Sequence, residues 1–202
     1  MSSSTDEASI VEDPASMQLT DTEKKIIDSA VEAFLRYGAR KTSMADIAEG
    51  AGVSRQTVYD QFGSKNDIIV TAIRYLTAQN LAGVRERLQS CTTLAEQLGA
   101  YSEDIVSSYQ MLQASSDAQD LIGGHNEAGK AEMRNTYAKH EALIAEILSP
   151  YAEKISRSGL SVEQYAHFYV TSAMAFKYSA QDDEDLNSLI ESLVSTTISI
   201  AT

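Results

Sequence analysis

Apolar residues recur at three- and four-residue steps along most of the chain, and Ser, Thr, Asp and Gly interrupt them at intervals. Ile26, Ile27, Ala30, Val31, Phe34 and Leu35 form the first amphipathic stripe. Thr20 or Thr22 can cap it, with Glu23 three residues after Thr20 as a capping box requires, and Gly38 ends it. Ser43 and Asp46 open a second helix, whose one face carries Met44, Ile47 and Ala48. Gly50-Ala51-Gly52 supplies a turn, where Gly52 can adopt positive φ without a Cβ penalty. Ser54 caps a third helix, with Val53, Val58 and Phe62 facing inward. Ser64 and Asp67 open a longer one bearing Ile68, Ile69, Ala72, Ile73 and Leu76.

The pattern continues to the end. Thr93 and Glu96 precede Leu94, Leu98, Tyr101, Ile105, Val106, Tyr109 and Leu112. Breaks are expected at residues 115–117 and 123–124. Met133, Tyr137, Leu143, Ile144, Ile147 and Leu148 mark another helix, stopped or interrupted at Ser149-Pro150. Ser161 and Gln164 open a helix to about residue 179 that is apolar around most of its circumference. After an acidic break at 181–185, Leu186, Leu189, Ile190, Leu193, Val194, Thr197 and Ile198 form a last stripe. No internal repeat is visible. With two prolines and ten glycines, there is little to punctuate a many-stranded sheet. The fold class read from this is all-α. Residues 1–20 read as a disordered acidic tail, 21–65 as a helix-turn-helix domain and 66–202 as a larger helical domain.

Composition narrows the setting. Hydrophobic residues make up 43% and charged residues 22%, which excludes a wholly disordered chain. One cysteine, Cys91, cannot form an intramolecular disulfide, and a reducing compartment suits it. Residues 1–23 hold six acids and no Lys or Arg, unlike a secretory leader. The longest uncharged run, residues 164–176, has 13 residues, short of the ~20 that a spanning helix needs. The expectation is a cytoplasmic protein without a membrane partner. Net charge is −13, but residues 24–74 alone carry +2, against −6 before them and −9 after. Polyanion contact is therefore to be sought in 24–74.

That segment has helix-turn-helix spacing. Taking Gly52 as the turn, a small residue, Ala48, lies four before it and Val58 six after it, where two crossing helices must touch. The outer face of the second helix is then left for a DNA groove. Ser54, Arg55, Gln56, Thr57 and Tyr59 supply that face. Arg55 has the fork for guanine and Gln56 the amide for adenine. Tyr59, Lys65 and the hydroxyls suit phosphates, as do the helix N-termini at Ser43 and Ser64.

The string Thr42-Ser43-Met44-Ala45-Asp46-Ile47-Ala48, then Ala51 through Tyr59, then Phe62-Gly63-Ser64-Lys65, resembles the DNA-binding domain of the TetR family of bacterial transcriptional regulators. The resemblance spans residues 21–75, about a quarter of the chain. It implies an all-α homodimer in which three short helices read DNA and about six more form a regulatory body. It places DNA contacts at Thr42, Ser43, Arg55, Gln56, Thr57, Tyr59 and Lys65. Asp60 and Gln61 depart from the His, Tyr or Arg that the family commonly carries there. Asp60 would repel a phosphate unless it pairs with Arg55 or accepts from cytosine N4.

The remaining residues carry less chemistry. Residues 75–202 hold eight tyrosines, which offer apolar area and a polar handle for a pocket between helices. The lining candidates are Tyr101, Tyr109, Met133, Tyr137, Phe168 and Ser172, with His125 and His140 as polar anchors, around an unidentified small-molecule effector. The last two helices are candidates for a dimer interface through Ala173, Ala175, Leu186, Leu189, Ile190, Leu193 and Thr197. Glu163 and His167 share a helix face, but two groups make no metal site. No catalytic or nucleotide-binding motif appears, so neither enzyme activity nor a cofactor is expected. The function expected is a repressor released from a pseudo-palindromic DNA operator by its effector. The alternative is a helical scaffold protein that has lost DNA binding.

Overall fold

Side-chain caps set most of the helix boundaries. The computed structural model describes residues 18–113 and 127–202. Helix α1 (Asp21–Tyr37) begins at the Thr20–Glu23 capping box and ends at Gly38. Helix α2 (Met44–Ala51) begins at the Ser43–Asp46 box, and α3 (Arg55–Phe62) at Ser54. Helix α4 (Lys65–Leu88) is capped by Ser64. Thr93 and Glu96 exchange the bonds of a further box at the start of α5 (Leu94–Gln113). Helix α6 (Glu127–Leu148) runs into a short 3-10 turn at Pro150 and the five-residue α7 (Ala152–Ser156). A Ser161–Gln164 box opens α8 (Val162–Ser179), and Asp182 caps α9 (Asp183–Ala201). The acidic break at 181–185 thus belongs to the start of α9, where carboxylates favour the positive end of the helix dipole. The expected breaks at 115–117 and 123–124, and most of the acidic tail, lie outside the described residues.

Helices α1, α2 and α3 and the first part of α4 enclose one core, with Ile26, Ile27, Phe34, Ile47, Val58 and Ile68 out of solvent. Two glycines shape it differently. Gly52 takes the left-handed conformation at φ 66° and closes α2. Gly50 lies inside α2, where an added Cβ would sit 2.4 Å from Ser29 Oγ. The Ser29 hydroxyl in turn donates to the Ile47 carbonyl at 2.9 Å. Gly50 therefore serves the close approach of α1 and α2 rather than the turn.

The second core lies between α5, α6, α8, α9 and the end of α4. Tyr101, Tyr109, Tyr165 and Tyr169 are its largest fully buried side chains. Helix α4 serves both cores: Ile68, Ile69, Ala72 and Ile73 enter the first, Leu81 and Val84 the second. The division expected after residue 65 falls at the start of this shared helix. Two polar contacts tie its middle to α6. Arg74 pairs with the buried Glu132 at 2.7 Å, and the Thr77 and Thr136 hydroxyls lie 2.9 Å apart.

The interface expectation needs correction. Leu186, Ile190, Leu193 and Thr197 point into their own protomer's core, and Ala173 is buried there too. Thr197 Oγ1 lies 3.1 Å from the Tyr165 hydroxyl. An amphipathic stripe reports that a face is covered, not by what, and here the cover is α5, α7 and α8 of the same chain. Ala175 is exposed and Leu189 partly buried. Among the described residues, no helix is long and apolar enough to cross a membrane.

Candidate nucleic-acid interface and cavity

Helix α3 divides cleanly. Val58 and Phe62 are buried, while Arg55, Gln56 and Tyr59 are exposed and Thr57 is partly so. The outward side chains are ordered by contacts one turn apart. The Arg55 guanidinium lies over the Tyr59 ring, 5.5 Å from its centroid, and donates to its hydroxyl at 3.3 Å. Gln56 Nε2 donates to Asp60 Oδ1 at 2.7 Å. Asp60 therefore pairs with Gln56 and not with Arg55. Thr57 shares a 2.8 Å hydrogen bond with the Ser54 hydroxyl. The face thus presents a guanidinium, an amide and a phenol, which can read base edges and hold phosphate.

Three expected contacts have other work. The Thr42 side chain is buried, and its hydroxyl donates to the Gly38 carbonyl at 2.9 Å, so it closes the turn after α1 and faces no DNA. Lys65 Nζ donates to the carbonyls of Ala39 at 2.8 Å, Thr42 at 2.9 Å and Arg40 at 3.5 Å. An ammonium has three donors, and these are spent on the α1–α2 loop rather than on a phosphate. Ser43 is exposed, but the Asp46 carboxylate already accepts from its backbone N–H at 2.7 Å. The hydrogen bonds from Ser43 hold the Asp46 carboxyl below its ordinary range, and that negative charge at the α2 N-terminus disfavours a phosphate there.

The body holds a cavity of about 210 Å³. Leu35 of α1, Ile73, Leu76, Thr77 and Asn80 of α4, and Asp104 and Ser108 of α5 line it on one side. Met133, Thr136, Tyr137 and His140 of α6, with Met174, Lys177 and Tyr178 of α8, line the other. Of the expected lining residues, Met133, Tyr137 and His140 are there. Tyr101 and Tyr109 are fully buried in the core instead. Tyr101 stands behind the wall, its hydroxyl 3.1 Å from His140 Nδ1. Phe168 is half exposed on the outer side of α8, and Ser172 lies off the cavity. His125 lies outside the described residues. Burial, with the nearby Lys177 charge second, lowers His140 to about 4, so its imidazole is neutral at pH 7.

Sequence reading missed Asn80, Asp104 and Lys177. The signal was present in Lys177, a base that follows directly on the uncharged run of α8. Elsewhere, His167 pairs with Glu141 at 2.8 Å, while Glu163 accepts from the Ser161 hydroxyl, so Glu163 and His167 do not converge. Among the described residues, no three metal-ligating side chains cluster.

Residues 26–72 match the family model of bacterial regulatory proteins, tetR family. The uncharacterized HTH-type transcriptional regulator YezE of Bacillus subtilis is 36% identical over 72 residues, 35% of this chain and 37% of that protein. The fatty acid metabolism regulator protein of Bacillus subtilis is 29% identical over 129 residues, 63% of this chain and 60% of that protein. The chain thus spans about a third to three-fifths of the length of these relatives. A solved TetR transcription regulator from Haloarcula marismortui shares the fold over 90% of this chain and 98% of its own, with a TM-score of 0.71 at 14% identity. Residues 26–72 thus match the tetR family of bacterial regulatory proteins, and the helical fold that continues from them is shared with the Haloarcula structure.

Proposed function

We propose that this protein is a DNA-binding transcriptional regulator, a repressor released from its operator by a small molecule held in the cavity. The exposed Arg55–Gln56–Tyr59 face of α3, carried on a buried Val58–Phe62 face, is the observation that supports DNA readout. The cavity supports the effector. Leu35, from a helix of the DNA-facing core, forms part of its wall. An occupant that favours one placement of α1 and α4 changes DNA affinity by its differential affinity for the two placements.

The protein acts as a homodimer on a pseudo-palindrome, since one recognition helix cannot span half-sites about 34–36 Å apart. The dimer forms on the outward side of α8. There Gln164, Phe168, Thr171 and Ala175 follow one another at four- and three-residue steps, all exposed in the single chain. Small residues beside a half-exposed Phe168 allow close helix approach.

Binding-site selection from random duplex DNA tests the reading. A palindromic consensus is expected, and Arg55→Ala should lose about 1–3 kcal/mol and relax preference at one base pair per half-site. Selection that returns no consensus from a well-folded wild-type protein defeats it.

A further inference from the structure

We propose that the cavity is built for a compact organic acid, an anion about 10 Å long whose acid group meets the Lys177 ammonium. Its apolar body lies against Leu35, Ile73 and Met133. The proposal rests on reading the cavity as the effector site and adds the chemistry of its occupant.

The length comes from α4. Ile73 and Asn80 both line the cavity, seven residues apart on one helix, which is about 10 Å at 1.5 Å per residue. The Ile73 end is apolar, because Leu35 and Met133 pack against the same cluster as Ile73. The other end is polar. Asn80 Nδ2 donates to Asp104, and Lys177 of α8 lies near enough to Asp104 to feel its charge. The volume agrees with a small occupant. An apolar cavity of about 150 Å³ takes benzene, so 210 Å³ takes one ring with a short chain.

The sign comes from which polar group is already engaged. Asp104 accepts from the Asn80 amide. Lys177 donates no hydrogen bond to any described residue, although burial disfavours its charge. An acid group supplies the acceptor that this ammonium lacks, in a setting that strengthens the pair. A cationic ligand would meet Lys177 head on and would have to displace Asn80 from Asp104. Asn80 Oδ1 is buried without a hydrogen-bond partner, so a hydroxyl beside the acid group adds a donor where one is wanted.

Calorimetric titration of the full chain with three probes of one shape tests this: 3-phenylpropanoate, 3-phenylpropan-1-ol and 3-phenylpropylamine. The acid is expected to bind about tenfold or more tighter than either of the others, as a charge-assisted bond would make it. Lys177→Met should erase that preference and Lys177→Arg should keep it. The proposal falls if the alcohol or amine matches the acid, if none of the three binds, or if a natively melting Lys177→Met protein retains the preference. The wild-type comparison decides without the variant, should Lys177→Met fail to fold. Acid binding by a protein that selects no DNA consensus would sink the regulator reading alone. A DNA consensus without acid binding would sink this inference alone.

Discussion

The two cores bury different things. The core of α1, α2 and α3 is aliphatic with two phenylalanines, and among the described residues Thr42 is its buried polar side chain. The core of the body buries four tyrosines, His140, Ser102, Glu132 and Thr197. Its polar groups are matched in pairs: Tyr101 with His140, Tyr165 with Thr197, Glu132 with Arg74. A dry core is stabilised by area removed from water and is indifferent to proton concentration. A polar core is stable only while each partner is present in the right protonation state. The first suits a unit that holds one shape. The second suits a unit whose stability depends on what enters it.

The widest separation between the cores should come from Leu193→Glu. This side chain sits in the body, and a carboxylate there loses the burial of Leu and gains an unpaired charge, a loss of at least about 3 kcal/mol. Thermal melting followed by circular dichroism should show a collapse of stability. A native melting temperature would place Leu193 toward solvent and undo the assignment of the α9 stripe.

Acid should then act through the body core. His140 is lowered to about 4 when folded, from an ordinary 6.5. The unfolded chain therefore takes up the proton first, and stability is lost as pH falls from about 6.5 toward 4, by about 3 kcal/mol at the lower limit. Above pH 6.5 this contribution is complete and flat. Urea melts of wild type and His140→Gln from pH 7.5 to 4.5 check it. The variant should lose most of the difference in slope, and parallel curves would mean that other groups carry the acid response.

The smallest effect expected is on the dry core, from Lys65→Ala. It removes the ammonium's hydrogen bonds to the α1–α2 loop, costing about 1–2 kcal/mol of stability. Fluorescence anisotropy with labelled DNA should show uniformly weaker binding and an unchanged salt slope. A slope reduced by about one would instead return Lys65 to the phosphate backbone.

The helix-turn-helix segment was legible because its constraints are steric and local. Ala48, Gly52 and Val58 stand where crossing helices dictate, and Ser43 and Ser54 cap what they precede. Lys65 and Thr42 were not legible, because a polar residue beside a helix-turn-helix has the same appearance in sequence whether it bonds phosphate or a loop carbonyl. In the body, spacing found the helices but not their neighbours. Tyr101 and Tyr137 both lie at apolar helical positions, yet one is sealed in the core and the other lines the cavity. What separates them is which helix packs opposite, and this depends on contacts between residues distant in sequence.

Helix α4 places a limit on how the two halves can fail. Its 24 residues form one continuous ladder of backbone hydrogen bonds, with Ile68 to Ile73 in one core and Leu81 and Val84 in the other. Unwinding that ladder at one end removes the surface against which that core is assembled and frays the turns leading to the other. The cores are thereby thermodynamically coupled through their shared backbone, and a stabilising occupant of the body would lower the population of chains in which α1, α2 and α3 are open.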